Sequence, residues 1–392
     1  MIDRDIHREL KASAAEYPVV TILGPRQAGK TTLARMSFPD KPWVSLEDPD
    51  IRLAAEADPR GFLGQWRDGA ILDEVQRTPD LLSYLQGIVD REGGRGRFIL
   101  TGSHQPALHQ VISQSLAGRT AMLTLWPFSW HEIRHYGPLP TAFELIPRGF
   151  YPRVHEDRLD PARYYANYLQ TYVERDVRSL IQVRDLTVFQ KFLVLLAGRT
   201  GQLMNLASLS NDVGVSTTSL RNWLSVLKAG FIVFELPPFF ENIGKRVIKS
   251  PKLYFADVGL TSYLLGIHTQ EQLARDPLRG NLYENLVVAE VMKALHNSGR
   301  RPKLYFYRDS HGNEVDLLIR MEGHLTPIEI KSSATFTTDF IKGLQGFSAL
   351  GVAGARPGVV LYNGEATHSI HGMRVINPLQ SENLLADLCG IG

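Results

Sequence analysis

A single cysteine, Cys389, excludes an internal disulfide and a cysteine-based zinc cluster. No segment approaches eighteen uninterrupted apolar residues, which argues against a membrane-spanning helix. The opening residues Met1, Ile2, Asp3, Arg4 and Asp5 mix charges and lead into no apolar signal core, so the expectation is a cytoplasmic chain that contacts no membrane. Charge is nearly balanced, with 43 Lys and Arg against 41 Asp and Glu, and any binding of nucleic acid would have to come from a local patch. Fixed-period repeats and low-complexity tracts are also missing. What remains is ordinary globular composition over 392 residues, 44% hydrophobic and 21% charged, a length that suggests two or three domains.

Against that plain background one stretch stands out. Gly24, Pro25, Arg26, Gln27, Ala28, Gly29, Lys30, Thr31 and Thr32 follow the apolar run Val19 to Leu23 and precede a helical pattern in Leu33 and Met36. This is the spacing G-x-x-x-x-G-K-[ST] between a strand and a helix. Its glycines let the backbone come close to a phosphate chain, and the helix N-terminus adds its positive end. Lys30 would reach the β- and γ-phosphates, and Thr31 would ligate Mg²⁺. Downstream, Gly69 to Asp73 and Glu74 form an apolar strand ending in two acids, as a Walker B strand does. Asp73 is assigned to the metal shell and Glu74 to orienting the attacking water.

Strands and helices alternate through this half, which predicts a parallel sheet with its ligands at the carboxyl ends of the strands. Arg97 to Ser103 is one such strand, so Thr101 and Ser103 would face the crevice of Lys30 and Asp73 as sensor residues or simply end a strand. Arg119, in Ser115 to Arg119 before the strand Ala121 to Leu125, is either an arginine finger, in cis or across a subunit interface, or a solvated loop charge. No [NT]-K-x-D tetrad is present in this half, which favours ATP over GTP. The set Gly24 to Thr32, Leu72 to Gln76, Leu100 to Ser103 and Leu116 to Arg119 followed by Trp126, Pro127 and Phe128 resembles a large prokaryotic family of AAA-superfamily ATPases with a C-terminal domain of unknown function. That resemblance runs the length of the chain and implies ATP binding and hydrolysis, with a homo-oligomer or ring as its possible assembly.

Pro138 to Pro152, rich in Pro, Gly and aromatics, reads as the exit from this core. Arg163 to Ile181 reads as a helix whose Glu174, Arg175, Asp176 and Arg178 form a solvated face or a lid reaching the nucleotide. In Thr187 to Ser250, Asn205 caps a short helix, Gly214 breaks it, and Ser216 caps a second helix with Leu220, Trp223, Leu224 and Leu227 at i, i+3, i+4 and i+7. Helix, turn, helix and a hairpin of Phe231 to Leu236 with Lys252 to Phe255 predict a winged helix. The segment holds seven bases against three acids. Thr217, Thr218, Ser219, Arg221 and Asn222 are suited to phosphates and base edges, although a winged helix also serves as a protein-packing module.

The last third brings a helix with Glu284, a strand with Val315, Asp316 and Leu317, and a strand with Glu329-Ile330-Lys331. Alternation along a strand puts Glu329 and Lys331 on one face. This order resembles the PD-(D/E)xK nuclease superfamily. The resemblance implies Mg²⁺ on Glu284, Asp316 and Glu329, with Lys331 positioning the nucleophile; the same charges would otherwise mark the wet face of a sheet. The expected architecture is thus α/β: a P-loop parallel sheet over residues 1–150, a helical connector over 151–186, a winged helix-turn-helix over 187–260 and a nuclease-like α/β domain over 261–392. The expected function is ATP hydrolysis coupled to binding, or to binding and cleavage, of duplex or branched DNA. A regulatory ATPase whose other domains only bind partners, or an ATP-gated toxin or defence effector, is the alternative.

Overall fold

The computed structural model describes residues 3–103, 111–112, 114–172, 185–239, 250–381 and 383–391. They cluster into two compact units. The first comprises Met1–Phe128 with Leu227–Phe231 and His296–Arg300; the second comprises Ser129–Val226, Ile232–Leu295 and Arg301–Gly392. Most of the stretch 187–260 and the C-terminal strands after it share the second unit, while Leu227–Phe231 falls in the first.

In the first unit the order is α1 (His7–Glu16), β1 (Val19–Gly24), α2 (Lys30–Ser37), β2 (Trp43–Ser45), α3 (Pro49–Ala57), α4 (Pro59–Gly64), β3 (Ile71–Asp73), α5 (Leu81–Glu92), β4 (Phe98–Ser103) and β5 (Thr120–Thr124). The strands form one parallel sheet in the order β2-β3-β4-β1-β5. All six residues of β1 and of β4 are buried, as expected where helices cover both faces. Strand alternation divides the core. Val20, Ile22, Ile71 and Ile99 pack with Leu10 of α1 and Leu33 of α2, while Val19, Leu23, Leu72 and Leu100 pack with Leu82 and Leu85 of α5. The register pairs Gly24 with Ser103 and Ser45 with Asp73, so the chemistry-bearing strand ends lie along one edge.

The second unit begins with α6 (Trp130–Ile133), α7 (Ala142–Arg148), α8 (Pro152–Glu156) and α9 (Pro161–Tyr172). Residues 138–152, expected to lead out of the first core, hold a helix started by the reciprocal capping box of Thr141 and Glu144 at α7. The expected lid residues Glu174, Arg175, Asp176 and Arg178 lie outside the described residues. Next come α10 (Leu186–Ala197), α11 (Leu206–Val213) and α12 (Thr217–Ala229). Asn205 accepts the Ser208 amide at 3.0 Å, Gly214 turns at φ +88°, and the Ser216 hydroxyl accepts the Ser219 amide at 3.1 Å. A two-stranded antiparallel ribbon follows, β6 (Val233–Leu236) with β7 (Lys252–Phe255). The bases Lys245, Arg246 and Lys249 between them also lie outside the described residues.

After α13 (Val258–Leu264) and α14 (Gln270–Arg275), helix α15 (Arg279–Asn297) leads into β8 (Leu304–Arg308), β9 (Glu314–Met321), β10 (His324–Lys331), α16 (Lys342–Ser348), β11 (Val359–Tyr362), β12 (His368–Ile370), β13 (Met373–Ile376) and α17 (Leu384–Leu388). The sheet order is β12-β13-β11-β10-β9-β8, with β8, β9 and β10 antiparallel and β11 parallel to β10. Asn281 sits in the first turn of α15 and donates to the Thr200 carbonyl at 3.0 Å. One turn on, buried Asn285 accepts the Phe255 amide at 2.9 Å and donates to the Phe255 carbonyl at 2.7 Å, which fastens β7 to α15.

Candidate functional site

Between β1 and α2 the loop from Gly24 to Gly29 turns back on itself. A side chain at Gly24, φ +155°, would put its Cβ 2.0 Å from the Leu125 carbonyl oxygen, so the close approach of the residue just past β5 admits only glycine. Gly29 sits at φ +91° and Gln27 at φ +62°, and these left-handed residues curl the loop over the N-terminus of α2. Pro25, Ala28 and Lys30 are buried, Arg26, Gly29 and Thr31 half-buried, and Gln27 and Thr32 exposed. The Lys30 ammonium stays inside the loop and donates to the carbonyls of Pro25 at 2.8 Å and Gly24 at 3.1 Å.

Below the loop, the Thr31 hydroxyl donates to Asp73 Oδ1 at 2.7 Å, and the Thr101 hydroxyl donates to the same oxygen. Two hydroxyls and a carboxylate, all oxygen donors, fit a hard ion such as Mg²⁺. Glu74 adopts φ +59°, a left-handed conformation that is costly for a residue with a side chain and concentrates at functional positions. Gln76 donates to Glu74 and, at 3.0 Å, to Ser103 Oγ, while Ser103 donates to Glu74 at 3.4 Å. The parallel sheet thus brings Lys30, Thr31, Asp73, Glu74, Thr101 and Ser103 to one edge. Arg119 is not among them. Val19 donates its amide to the Arg119 carbonyl, at the opposite end of β1, roughly 16 Å of strand from Gly24 at about 3.3 Å per residue. Its guanidinium pairs with Asp90 at 2.5 and 2.9 Å. A finger acting on the P-loop of its own chain is therefore ruled out by the topology.

Arg4, ahead of α1, carries no motif and went unmarked in the sequence. It is 8% exposed, donates to the P-loop carbonyl of Ala28 at 2.8 Å and to the Trp126 carbonyl at 2.7 Å, and lies 4.8 Å from the centre of the Phe128 ring. The guanidinium buttresses the phosphate loop from behind.

The second unit assembles another cluster. Glu284 on α15, Asp316 on β9 and Glu329 with Lys331 on β10 converge as their order suggests, joined by three residues the sequence reading omitted: Lys252 and Tyr254 on β7 and Glu314 on β9. The Lys252 ammonium, 3% exposed, lies 2.9 Å from Glu284, 2.6 Å from Glu314 and 3.9 Å from Asp316. Tyr254 donates to Glu284 at 2.5 Å. Lys331 pairs with Glu329 at 2.7 Å and Asp316 at 3.5 Å, and the Ile330 amide donates to Asp316 at 2.8 Å. The alternations Lys252-Leu253-Tyr254 and Glu314-Val315-Asp316, one charged or polar residue every second position, were the available signal.

Burial pushes the Glu284 carboxyl up to about 7 and the Glu329 carboxyl up to about 8; Asp316 adds to both, and Lys252 and Lys331 oppose. Burial disfavours the ammonium of Lys252, but Tyr254, Glu284, Asp316 and Glu314 outweigh it and hold the group above the usual lysine range. Glu329 Oε2 is buried with no hydrogen-bond partner. Among the described residues no three His, Cys, Asp or Glu side chains are arranged to hold a metal ion. The expected metal set of Glu284, Asp316 and Glu329 is instead interleaved with lysine ammoniums, and a divalent ion does not fit the cluster as folded.

Residues 16–134 match the family described as AAA domain, residues 140–271 the domain of unknown function DUF8612, and residues 279–381 the domain of unknown function DUF4143. An uncharacterized protein of Haemophilus influenzae is 22% identical over 238 residues, 57% of this chain and 57% of that protein. The Walker-type ATPase PABY2304 of Pyrococcus abyssi aligns in structure with a TM-score of 0.44 at 17% identity, covering 67% of this chain and 96% of that one. The uncharacterized protein Rv2008c of Mycobacterium tuberculosis is 34% identical over 335 residues, 85% of this chain and 74% of that protein. The chain, with an AAA-type P-loop ATPase domain in its N-terminal part, belongs to the same protein family as Rv2008c.

Proposed function

We propose that this protein binds and hydrolyses ATP at the P-loop of its first unit and engages DNA through its second. The observation that carries the ATPase reading is the meeting of Thr31 and Asp73 at 2.7 Å directly under the phosphate loop. Loop amides and Lys30 would hold the β- and γ-phosphates, with the lysine exchanging its loop carbonyls for phosphate oxygens. Thr31 and Asp73 would hold magnesium, whose contribution when bound is to neutralise charge on the transferred phosphoryl group. Glu74 would orient the attacking water, fixed in place by Gln76 and Ser103, and Thr101 would keep Asp73 in register.

Support for the DNA reading comes from α11, the Gly214 turn and α12 followed by the β6–β7 ribbon, the element order of a winged helix. Thr218, Arg221 and Asn222 are exposed along the N-terminal half of α12, while Leu220 and Leu224 are buried beneath them. The order α15, three antiparallel strands, α16 and a parallel strand resembles that of the PD-(D/E)xK fold, and with lysines seated among its carboxylates we read it as a platform that holds DNA without cutting it. ATP turnover measured with and without duplex, single-stranded and branched DNA tests the reading. Stimulation by DNA that is lost in Arg221→Ala is the expected result; turnover indifferent to every DNA would favour a regulatory ATPase with a protein partner.

A further inference from the structure

Four carboxylates drawn together, Asp316 and Glu329 buried and Glu284 and Glu314 half-buried, must find positive charge somewhere. Glu284, Glu314, Asp316 and Glu329 meet two ammoniums, Lys252 and Lys331, and the Arg308 guanidinium reaches Glu314 at 3.3 Å from β8. Among the described residues three cations thus stand among four carboxylates, and Glu329 Oε2, without a hydrogen-bond partner, faces the bare Cα of Gly343. Lys252 and Lys331 already supply positive charge where a divalent ion would have to bind.

Lys252 is built into this position. It reaches the cluster from the ribbon strand β7, whose Phe255 is fastened to α15 by Asn285, and its ammonium lies 5.5 Å from the centre of the Phe306 ring. Its three carboxylate neighbours come from α15 and from two positions of β9, so one nitrogen bridges elements as a metal ion would. We propose that Lys252 is a resident cation occupying the place of a divalent metal among Glu284, Glu314 and Asp316, and that the cluster gains a divalent-ion site only when this ammonium is removed. The inference depends neither on ATP turnover nor on DNA binding.

The test is Mn²⁺ titration of the nucleotide-free full chain, followed by the loss of the free-ion paramagnetic resonance signal. Wild type and Asp316→Asn should titrate alike, because the wild-type cluster takes no ion. Lys252→Met, which keeps the length and removes the charge, should gain one site at least about tenfold tighter than any site in wild type, as affinity follows the uncompensated ligand charge. Adding Asp316→Asn to Lys252→Met should abolish that site. A wild-type site that disappears in Asp316→Asn would overturn the proposal without recourse to the lysine variant, and so would a folded Lys252→Met protein that gains no ion.

Discussion

Replacing Arg4 by methionine isolates what a residue outside every motif does for the phosphate loop. Methionine keeps an apolar stem against Phe128 and removes the hydrogen bonds donated to Ala28 and to Trp126. A hydrogen bond involving a charged group contributes roughly 1.5–3 kcal/mol, and losing two is offset by no longer burying a guanidinium. The net is a destabilisation of about 2–4 kcal/mol, part of it felt locally because Ala28 lies inside the loop. If about 1.4 kcal/mol of that falls on the loop, nucleotide affinity drops about tenfold. Urea unfolding gives the first quantity, and titration with a fluorescent ATP analogue gives the second. An unfolding free energy within about 0.5 kcal/mol of wild type together with unchanged affinity would refute the buttress.

Further outcomes follow from the same geometry. Glu74→Gln should keep nucleotide affinity and lower kcat by about 10²–10³, the scale of losing one positioned catalytic group; single-turnover assays beside binding titrations check both. Arg119→Ala should leave ATP affinity unchanged, because its guanidinium holds Asp90 at the far end of the sheet, and a loss of affinity would contradict that placement. Glu329, raised to about 8 in the folded chain, contributes stability that is full below its unfolded value near 4.5 and is lost as pH rises through about 8. Between pH 5 and 8 wild type should therefore lose stability faster than Glu329→Gln, by at most about 1.4 kcal/mol per pH unit. Parallel pH profiles from thermal or urea unfolding would show that Glu329 does not titrate in this window.

The P-loop was legible because everything it needs is local: two glycines that must turn, a lysine and a threonine at fixed distances, and a buried strand before them. The meeting of Asp73 with Thr31 and Thr101 was legible one step further, since parallel strands deliver their last residues to a common edge. Arg119 shows the limit of that rule, for it stands where a strand begins, and the register with Val19 sends it to the other edge. Arg4 left no trace because its acceptors are backbone carbonyls 24 and 122 residues away, and a carbonyl has no sequence signature. In the second unit the carboxylates of β9 and β10 were visible through alternation, but Lys252 was assigned to the wing of a helix-turn-helix. The fastening of β7 to α15 by Asn285 brings that lysine to Glu284. The helix at Ala142–Arg148 was hidden by nearby proline and glycine, although Thr141 and Glu144 spelled its cap.

Steady-state ATP turnover with Mg²⁺, measured on wild type and on Lys30→Ala purified identically, tests the central claim most directly. The account requires phosphate release from wild type and none from Lys30→Ala, with nucleotide binding lost in parallel, because the ammonium that would hold the phosphates is gone. Equal turnover by the two proteins would contradict it.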